Sequence, residues 1–488
     1  MWLLALFPIT CVCAFPERPA LLSSTRASPT TSSRLDIVAD FPKDAHNPPD
    51  YHPRCIVVVG GGIGGLATAY DARHLMRPKD EIIVISDSPI FSFTPSNPWI
   101  ATRKRQPKDI QLLLHKVLPR HNIEFLLGRV VQLKPKAKEL RLQGGAIIDY
   151  DYLVIATGPK LGFEEVPGLK KHGVSVCTTP HASHTADVWD ALMASPGPVV
   201  VGATQEASCF GPAYEYALLL TDEMKRKGGT KLLEKCPITF VTPEPYIGHL
   251  GLDGTGESGT ILQELMEKNN IPVMKNSRTT KVTKDSVTIE RLDAKGNVVE
   301  TKTLPSKLTM MIPPFYGHNV WKSIPNLTDK NGMIEVNEFQ QSDAYPDIFA
   351  VGVCVSLPAI GYTTIPIGVP KTGYMIESMG TAAATNIRRM IDVREKSRNP
   401  KLNEIDLHSK PIMNGLCIVD FGNDGAIFAA VPQIRPRRHD WTLHSKMVSL
   451  AKVAFEKYFL HKIESVDTDP YYEKYMLKLI GVERTKFE

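Results

Sequence analysis

Three cysteines are the side chains of this 488-residue chain best suited to redox chemistry: Cys177, Cys209 and Cys417. A thiolate is a nucleophile, and two paired thiols exchange two electrons as a disulfide. We expect Cys209 to lie where a strand passes into a helix, a setting that lowers the pKa of a thiol. Cys417 is expected on a strand, and Cys177 at the entry to a second domain. Taken singly, each would more often be a small buried hydrophobic residue, so the surrounding elements must decide its role.

The rest of the composition argues against several other chemistries. The eight cysteines are too few for a disulfide-built scaffold and include no C-x-x-C, and no paired metal-ligand spacing occurs, so we predict no metal site. The 14 histidines show no H-E-x-x-H pattern, and there is no G-x-S-x-G elbow. An apolar content of 43% and a net charge of +5 describe an ordinary folded protein and do not indicate a nucleic-acid partner.

A signature for dinucleotide binding lies at Ile56–Gly65. Four β-branched residues predict a buried parallel strand, and the glycines after it follow the pattern G-x-G-x-x-G. The first glycine turns the chain, the second lets backbone approach a pyrophosphate, and the third lets the helix pack on the strand. We expect the helix to run to about Arg77 and a second strand, Glu81–Ser86, to complete a βαβ unit. The cofactor residues assigned here are Gly60, Gly62, Ile63, Gly64 and Gly65.

Another apolar strand ends in a small-residue turn at Asp151–Gly158. Together with the glycine pattern, this Ala-Thr-Gly turn resembles the flavoprotein disulfide-reductase superfamily, whose members contain two dinucleotide-binding folds and bind FAD. The late flavin segment of that superfamily is matched by Asp347–Val353, except that Val353 stands where aspartate is usual. The resemblance implies cofactor contacts from Ala156, Thr157, Gly158 and Gly352.

Further residues are expected around the same cofactor. Ser86 ends the second strand where a ribose-binding carboxylate is common; its hydroxyl can still bond ribose, and Asp87 is adjacent. The proline-interrupted stretch Phe91–Trp99 is expected to be neither regular helix nor sheet and to cover the cofactor, with an ordinary surface loop as the alternative. The residues added to the cofactor site are Asn97, Pro98 and Val131.

The second dinucleotide fold is expected to begin at Pro196–Tyr216, where it departs from the usual pattern. An enzyme that takes electrons from NAD(P)H would show another close G-x-G-x-x-G at this point. Ala203 and Thr204 replace the expected spacing, and the turn runs on to Cys209. The broken pattern argues against a nicotinamide donor, so another compound must reduce the flavin.

Four motifs in order resemble bacterial sulfide:quinone oxidoreductases, from about Cys55 to the C-terminus, with an insertion near Arg394–Ser409. The motifs are Cys177–His181, Ala207–Glu215, Glu244–Gly251 and Lys371–Ser378. In that family's pattern Cys209 and Cys417 would form a redox pair beside the flavin, bridged by a disulfide or by extra sulfur atoms. Sulfide would attack the bridge and leave a persulfide, two electrons would pass through FAD to a quinone, and repetition would lengthen a polysulfide. Cys177 would be the third essential cysteine, although some relatives use a cysteine there to tether FAD.

The same resemblance implies roles for other side chains. His181 and His249 would be acid–base groups with near-neutral pKa values, and Lys371 would oppose negative charge on the flavin. For all three, a plain surface or packing role is the alternative. Cys354 follows Gly352 by two residues, but the family's third cysteine matches Cys417, so we interpret Cys354 as a packing residue.

The C-terminal stretch Arg435–Ile480 is interpreted as the membrane and quinone region. One helical face is predicted at spacings of three and four residues, and seven Lys or Arg residues lie between Arg435 and Lys462 against two acids. Without an apolar run long enough to span a bilayer, amphipathic basic helices predict a monotopic protein on anionic lipid; a packed core helix pair is the alternative. The face comprises Leu443, Met447, Leu450, Ala454 and Tyr458, a second segment is Tyr471–Ile480, and the resemblance places Phe455 and Tyr472 in a quinone pocket.

The first 53 residues are interpreted as a targeting presequence and linker. Trp2–Ala14 resembles a signal-peptide core, and Leu21–Leu35 is rich in Ser, Thr and Arg without an acid, as in a transit peptide. This bipartite order, with Phe15 after the signal core, resembles presequences for import into complex algal plastids. A mitochondrial presequence is the alternative.

The fold class expected is α/β, with two Rossmann-like dinucleotide-binding folds and C-terminal amphipathic helices. The domains are 1–53 (presequence and linker), 54–165 (FAD domain, first part), 166–339 (second Rossmann-like domain), 340–430 (FAD domain, second part) and 431–488 (membrane and quinone region). The expected partners are sulfide, plastoquinone or ubiquinone, a membrane surface and a second copy of the chain in a homo-oligomer. Open alternatives are a type II NADH:quinone dehydrogenase, a flavin redox sensor and a sulfide dehydrogenase subunit that reduces a cytochrome.

Overall fold

The structure, a computed structural model, describes residues 51–396 and 405–465. The strands are β1 (Cys55–Val59), β2 (Glu81–Ser86), β3 (Ile90–Ser92), β4 (Gln111–Leu113), β5 (Glu124–Leu127), β6 (Val130–Lys134), β7 (Glu139–Leu142), β8 (Ile147–Asp149), β9 (Tyr152–Ile155), β10 (Lys160–Leu161), β11 (Val199–Ala203), β12 (Ile238–Val241), β13 (Val273–Met274), β14 (Ser277–Val282), β15 (Ser286–Leu292), β16 (Val298–Pro305), β17 (Leu308–Ile312), β18 (Phe315–Tyr316), β19 (Ile348–Ala350), β20 (Gly415–Asp420), β21 (Gly425–Val431) and β22 (His439–Ser445). The α-helices are α1 (Ile63–Leu75), α2 (Asn97–Ala101), α3 (Leu114–Val117), α4 (Leu169–His172), α5 (Thr179–Ala194), α6 (Gly211–Lys235), α7 (Ser258–Lys268), α8 (Asn319–Lys322), α9 (Gly373–Lys396) and α10 (Lys446–Ser465).

The first parallel sheet has the strand order β19-β9-β1-β2-β5, so it draws on two separate stretches of the chain. Its central strand β1 is buried over Ile56–Val59; α1 packs against β1, and α9 packs against α1. The three predicted strands of this unit and the late strand β19 are confirmed. Helix α1 ends at Leu75 instead of Arg77, because Arg77 precedes Pro78 and the residue before a proline disfavours helical backbone.

A second parallel sheet has the order β13-β12-β11-β17; α6 and α5 pack on it, and α7 packs on α6. An antiparallel sheet, β14-β15-β16, follows β13 in the chain. The two parallel sheets confirm the predicted α/β class with two Rossmann-like folds. The domain boundaries themselves stay a prediction.

The stretch Phe91–Trp99 corrects one expectation. It contains strand β3, a 3₁₀ turn at Thr94–Ser96 and the start of α2, although neither helix nor sheet was expected. Pro98 is tolerated because it lies in the first turn of α2, where the proline nitrogen needs no helical hydrogen bond. The segment is also largely buried, so it is no ordinary surface loop.

The C-terminal part of the described chain is a three-stranded antiparallel sheet, β20-β21-β22, followed by α10. Leu443 was predicted on a helical face, and this is wrong: it lies on β22, and the helix begins only at Lys446. Among the described helices, none is both long and apolar enough to cross a bilayer. The presequence over 1–50, the segment Tyr471–Ile480 with Tyr472, and residues 397–404 of the insertion lie outside the described residues.

Candidate functional site

The glycine turn after β1 has the geometry of a pyrophosphate cradle. Gly60 has a φ of +129°, and a Cβ there would lie 2.2 Å from the Ala156 carbonyl oxygen. A Cβ on Gly65 would lie 1.8 Å from the carbonyl oxygen of Gly60, so α1 packs on the turn only without a side chain. At Gly62 a Cβ would meet nothing within 4 Å, so the turn is open on the side where backbone must approach a phosphate. The three glycines therefore fit the roles that their spacing predicts.

Two further turns meet this cradle at the carboxyl edge of the sheet. The Ala156 N–H donates to the Val59 carbonyl at 2.8 Å, and the Thr157 hydroxyl accepts from the Trp321 indole N–H at 3.1 Å. Gly158 and Gly352 have φ values of +67° and +82°, which a residue with a side chain adopts with strain. Ile63 and Gly64 lie in the first turn of α1, and a Cβ on Gly64 would lie 3.7 Å from the Gly352 Cα. The structure thus brings together three of the predicted cofactor segments, and the residues fit FAD.

Further residues of interest around the cradle are Ser86, Asp87 and Val131. The Ser86 hydroxyl lies beside Gly61, and Asp87 forms an exposed ion pair with Arg129 at 3.1 Å. Val131 is 47% exposed, and the pairing of β6 with β7 shifts register across it. Ser86 and Asp87 lie at the carboxyl end of β2, the edge where an adenosine would lie in such a fold, and the assignment of Val131 stays a prediction.

Asn97 is held by internal bonds. Its side-chain amide donates to the Val176 carbonyl at 3.0 Å and accepts from the Thr179 hydroxyl at 3.1 Å. Both partners flank Cys177, so this side chain ties the Phe91–Trp99 segment to the cysteine segment. Any contact of Asn97 or the buried Pro98 with a cofactor would therefore use their remaining atoms.

Lys371 lies just before α9 and is half-buried. Burial lowers its pKa to about 8, against the opposing effects of Cys354 and Asp329. The Cys354 thiol donates to the Ile155 and Val351 carbonyls, the bonding of a packing cysteine.

The three predicted cysteines lie near the N-terminus of α6. A Cβ on Gly211, the first residue of α6, would lie 3.5 Å from the Cys417 Sγ, and the Cys177 Sγ accepts from the Ser175 hydroxyl at 3.3 Å. The thiols of Cys417 and Cys177 are close enough to Cys209 to disfavour its thiolate electrostatically. All six described cysteines are free.

The expected low pKa of Cys209 is wrong. Cys209 does lie between β11 and α6, but burial raises its pKa far above the usual thiol value, and the neighbouring Cys417, Cys177 and Glu215 add to the effect. Burial likewise raises the pKa of Cys177 to about 12 and of Cys417 to about 11. Burial beside other acidic groups therefore outweighs the effect of the helix terminus.

A buried polar network beside these thiols was missed from the sequence. Lys452 of α10 forms an ion pair with Glu215 of α6, and burial raises the pKa of Glu215 to about 7. The Trp99 indole N–H donates to Asp420 at 2.7 Å, and the Lys452 ammonium lies 5.1 Å from the Trp99 ring centroid. The signal was present in the charged pair Lys452 and Glu456, one helical turn apart, which lies on the buried face of α10.

Helix α10 has one buried face, and that face carries charged as well as apolar side chains. Its buried residues are Val448, Lys452, Glu456, Phe459, Lys462 and Ile463. Lys462 forms an ion pair with Glu377 at 2.7 Å. The side chain of Arg437, which precedes β22, is also largely buried. On the predicted apolar face, Met447 is 39% and Leu450 49% exposed, while Ala454 and Tyr458 are half-buried.

The two predicted acid–base histidines, His181 and His249, precede and follow Cys209 in the chain and have different surroundings. His181 is in the first turn of α5, with Nδ1 2.9 Å from the Thr178 hydroxyl. His249 is 3% exposed, and its Nδ1 accepts from the Gly251 N–H at 3.2 Å, so the neutral ring carries its proton on Nε2. Burial lowers both pKa values, with His184 adding to the effect at His181 and Asp253 opposing it at His249.

Phe455 belongs to an aromatic cluster between α10 and the Phe91–Trp99 segment. Its ring centroid lies 5.9 Å from that of Phe93 and 6.0 Å from that of Phe459. Tyr472, the second predicted quinone residue, lies outside the described chain.

The turn after β11 is closed by the chain itself. The Glu206 N–H donates to the Pro366 carbonyl at 2.7 Å, and the Gly368 N–H donates to the Ala207 carbonyl at 2.9 Å. The Gln205 side-chain amide also bonds the backbone of Thr279 in both directions, each at 3.2 Å. The segment before Lys371 therefore lies across the turn where a second dinucleotide would need open backbone.

The fold and the glycine cradle define an FAD-binding oxidoreductase with two dinucleotide-binding folds. In agreement, the family profile described as pyridine nucleotide-disulphide oxidoreductase matches residues 54–375.

The similarity extends further with one group of relatives. The chain is 42% identical to the sulfide-quinone reductase of Aquifex aeolicus over 426 residues, which are 87% of this chain and 94% of that protein. The solved structure of the sulfide:quinone oxidoreductase from Aquifex aeolicus has a TM-score of 0.82 at 41% identity, covering 88% of this chain and 96% of that one. A mitochondrial sulfide:quinone oxidoreductase of Dictyostelium discoideum is 26% identical over 62% of this chain and 66% of that protein. The chain belongs to the sulfide:quinone oxidoreductase family, and it is an FAD-dependent oxidoreductase.

Proposed function

We propose that this protein oxidises sulfide to polysulfide or sulfur at Cys209 and Cys417 and passes two electrons through FAD to a membrane quinone. The observation that carries the proposal is the gathering of three thiols at the N-terminus of α6 in a chain with an FAD cradle. The family resemblance supplies the roles of the residues.

The proposed sulfur chemistry begins at the cysteine pair. HS⁻ attacks a disulfide between Cys209 and Cys417, so that one cysteine carries a persulfide and the other is released as a thiolate. The thiolate and the persulfide then rejoin as a trisulfide, releasing two electrons and one proton. FAD, when bound, supplies the acceptor that holds two electrons between sulfide and quinone. Repeated attack lengthens the sulfur chain until it is released, and Cys177 serves as the third cysteine of sulfur transfer.

The protein's own groups handle charge and protons. Trisulfide formation releases the proton of the persulfide, and we assign His181 and His249 as the groups that carry such protons. Since burial lowers the pKa values of both rings, they are neutral and can accept a proton at neutral pH. Quinone reduction consumes two protons with the two electrons.

Replacement of Lys371 by methionine tests the electrostatic role of that ammonium. A positive charge beside the flavin stabilises its reduced form, so Lys371→Met is expected to lower the flavin midpoint potential by about 30 mV. Because the pKa of Lys371 is lowered to about 8, the ammonium is present below that pH and lost above it. The two potentials should therefore converge as pH rises through 8. Equal potentials at pH 6 to 7 would contradict the assignment, and reductive titration with a reference dye measures them.

The quinone is placed at the aromatic cluster of Phe455, with Tyr472 as its predicted second wall. Flat rings can hold a quinone head group by stacking. The neighbouring Phe93 lies on the Phe91–Trp99 segment, which we propose covers the cofactor. This arrangement supports electron transfer between a flavin and a quinone at one place.

We infer that α10 meets a membrane surface through its outward apolar face, defined by Met447, Leu450, Ala454 and Tyr458. On this helix Met447 and Leu450 are 39% and 49% exposed, although Lys452, Glu456 and Lys462 are buried together with apolar residues. Exposed large apolar side chains on one helical face indicate an interaction surface. Such a face is suited to the boundary of a bilayer.

Replacement of Leu450 by glutamate tests this surface. The change places a charge on the outward face without touching the buried pairs, so binding to anionic vesicles should fall about tenfold while reduction of a water-soluble quinone stays unchanged. Co-sedimentation with vesicles measures the binding. Gln263→Glu on the exposed face of α7 is the matched control and should bind like the wild type. Unchanged binding of Leu450→Glu would contradict the assignment.

The alternative of a type II NADH:quinone dehydrogenase has less support. The turn after β11 lacks the glycine spacing and is covered by the segment before Lys371. The redox-sensor alternative and the cytochrome-linked alternative lack a specific supporting contact among the described residues.

We propose an organelle as the location, with plastid import favoured over mitochondrial import from the composition of the first 35 residues. A relative from Dictyostelium discoideum is named mitochondrial, which supports an organelle without favouring the plastid. The quinone is plastoquinone or ubiquinone accordingly. The domain division given above and a homo-oligomer remain proposals.

The proposed activity is tested by steady-state turnover of the FAD-loaded protein with sulfide and a water-soluble quinone. We expect quinone reduction that requires sulfide and an increase in polysulfide. Absence of sulfide-dependent quinone reduction would overturn the proposal.

A further inference from the structure

Glu244 is a buried carboxylate whose bonds are all internal. It is 0% exposed and, within the described residues, forms no ion pair. Oε1 accepts from the Leu250 N–H at 2.6 Å, and Oε2 accepts from the Thr242 and Tyr214 hydroxyls at 2.7 Å each. Three short hydrogen bonds are the compensation that a buried carboxylate without a counter-charge requires.

These bonds join helix α6 to the loop 245–254 that carries His249. Tyr214 lies on α6, five residues after Cys209, and its hydroxyl also accepts from the Gly248 N–H at 3.2 Å. The Tyr214 ring stacks on Phe240 of β12 with centroids 4.4 Å apart. A single carboxylate therefore holds both the residue before His249 and the residue after it, through Gly248 by way of Tyr214 and through Leu250 directly.

The loop is held close to the proposed sulfur site. A Cβ on Gly251 would lie 3.5 Å from the Phe210 ring and 2.5 Å from the Gly368 carbonyl oxygen. Phe210 follows Cys209, and Gly368 precedes Lys371 by three residues. Loop 245–254 thus packs between the residues next to Cys209 and the residues before Lys371. The position of this loop therefore affects where the His249 ring lies.

The place of Glu244 in the fold is also informative. It follows β12, the second strand of the second Rossmann-like unit, where nicotinamide-binding folds carry an acid that bonds the ribose. Here that acid points inward and is saturated by protein donors. We infer that Glu244 is a positioning residue: it fixes the His249 loop against the Cys209 segment for the sulfide half-reaction. This inference rests on the proposed function, because the role of His249 does.

Two variants separate hydrogen bonding from charge. Glu244→Ala removes all three bonds and should slow flavin reduction by sulfide up to about 100-fold, as expected when a reacting group is misplaced by about 1 Å. Glu244→Gln keeps an oxygen for the Leu250 N–H and an amide that can donate to the two hydroxyl oxygens, so it should recover most of the rate. Reoxidation of the reduced flavin by quinone should stay within about twofold of wild type in both. Glu264→Gln on the exposed face of α7 is the matched control.

Hydrogen exchange of loop 245–254 gives a readout that needs no sulfide chemistry. Glu244→Ala should accelerate exchange in this loop, and Glu244→Gln should not. Should Glu244→Ala fail to fold, Tyr214→Phe provides the test, since it removes one bond to Glu244 and the acceptor for Gly248.

The outcomes are distinct. The inference is overturned if the alanine variant is reduced by sulfide at the wild-type rate, if both half-reactions fall equally, or if the glutamine variant is as slow as the alanine variant. If sulfide does not reduce even the wild type, the proposed function fails, while exchange still decides whether Glu244 holds the loop. Unchanged exchange in Glu244→Ala and Tyr214→Phe overturns the inference independently.

Discussion

Replacement of Cys209 by serine is expected to abolish reduction of the flavin by sulfide. A serine oxygen cannot form the disulfide that HS⁻ attacks, so the route from sulfide to the flavin is broken at its first bond. The rate should fall at least about 1000-fold, which corresponds to ~4 kcal/mol in the activation free energy. Anaerobic stopped-flow measurement of the flavin's visible absorbance gives the rate.

The control for this change is Cys55→Ser. Cys55 is the first residue of β1, at the amino end of the sheet and therefore opposite the cofactor edge. Within the described part of the chain, its thiol donates to the Asp149 carbonyl at 3.5 Å. Sulfide should reduce the flavin of the Cys55→Ser protein at the wild-type rate. A Cys209→Ser protein that binds FAD and is still reduced at the normal rate would remove the cysteine pair from the mechanism.

Replacement of Gly62 by alanine is expected to weaken FAD binding without destabilising the chain. The added Cβ meets no protein atom within 4 Å, and the backbone φ of −89° suits any residue. The methyl group would instead occupy the approach to the pyrophosphate, so FAD affinity should fall about 100-fold, or ~3 kcal/mol. Titration of the FAD-free protein with FAD, followed by flavin fluorescence, measures the affinity.

Gly65→Ala provides the contrast, because its Cβ would lie 1.8 Å from the Gly60 carbonyl oxygen. That variant should lose thermal stability even without FAD, whereas Gly62→Ala should melt like the wild type. Normal FAD affinity of Gly62→Ala would show that the cradle does not face the cofactor.

Local sterics made the first βαβ unit predictable. A run of β-branched residues favours a buried strand, and Gly65 is required by its contact with Gly60, five residues earlier in the chain. Gly60 is required by its φ of +129° and also by the distant Ala156 turn. Strands β9 and β19 were predictable as well, because small residues mark the end of each strand.

Properties that depend on distant elements were not predictable in the same way. Apolar spacing identified an apolar face of α10 but not which face of this helix the rest of the protein covers. Leu443 was assigned to the helix because the strand and helix patterns overlap at the boundary between β22 and α10. The pKa of Cys209 was misjudged because burial and the neighbouring thiols come from β20 and the segment before α5. The roles of Lys452 and Glu244 required the packing of α6, which sequence spacing does not show.

The central claim is that sulfide, and not NADH, reduces this flavin. The most direct measurement mixes the oxidised, FAD-loaded protein anaerobically with sulfide and, separately, with NADH, and follows the flavin's visible absorbance. We predict that sulfide bleaches the flavin, that a soluble quinone restores it, and that NADH has no effect. Bleaching by NADH but not by sulfide would contradict the account and assign the protein to NADH:quinone chemistry, despite the closed turn after β11.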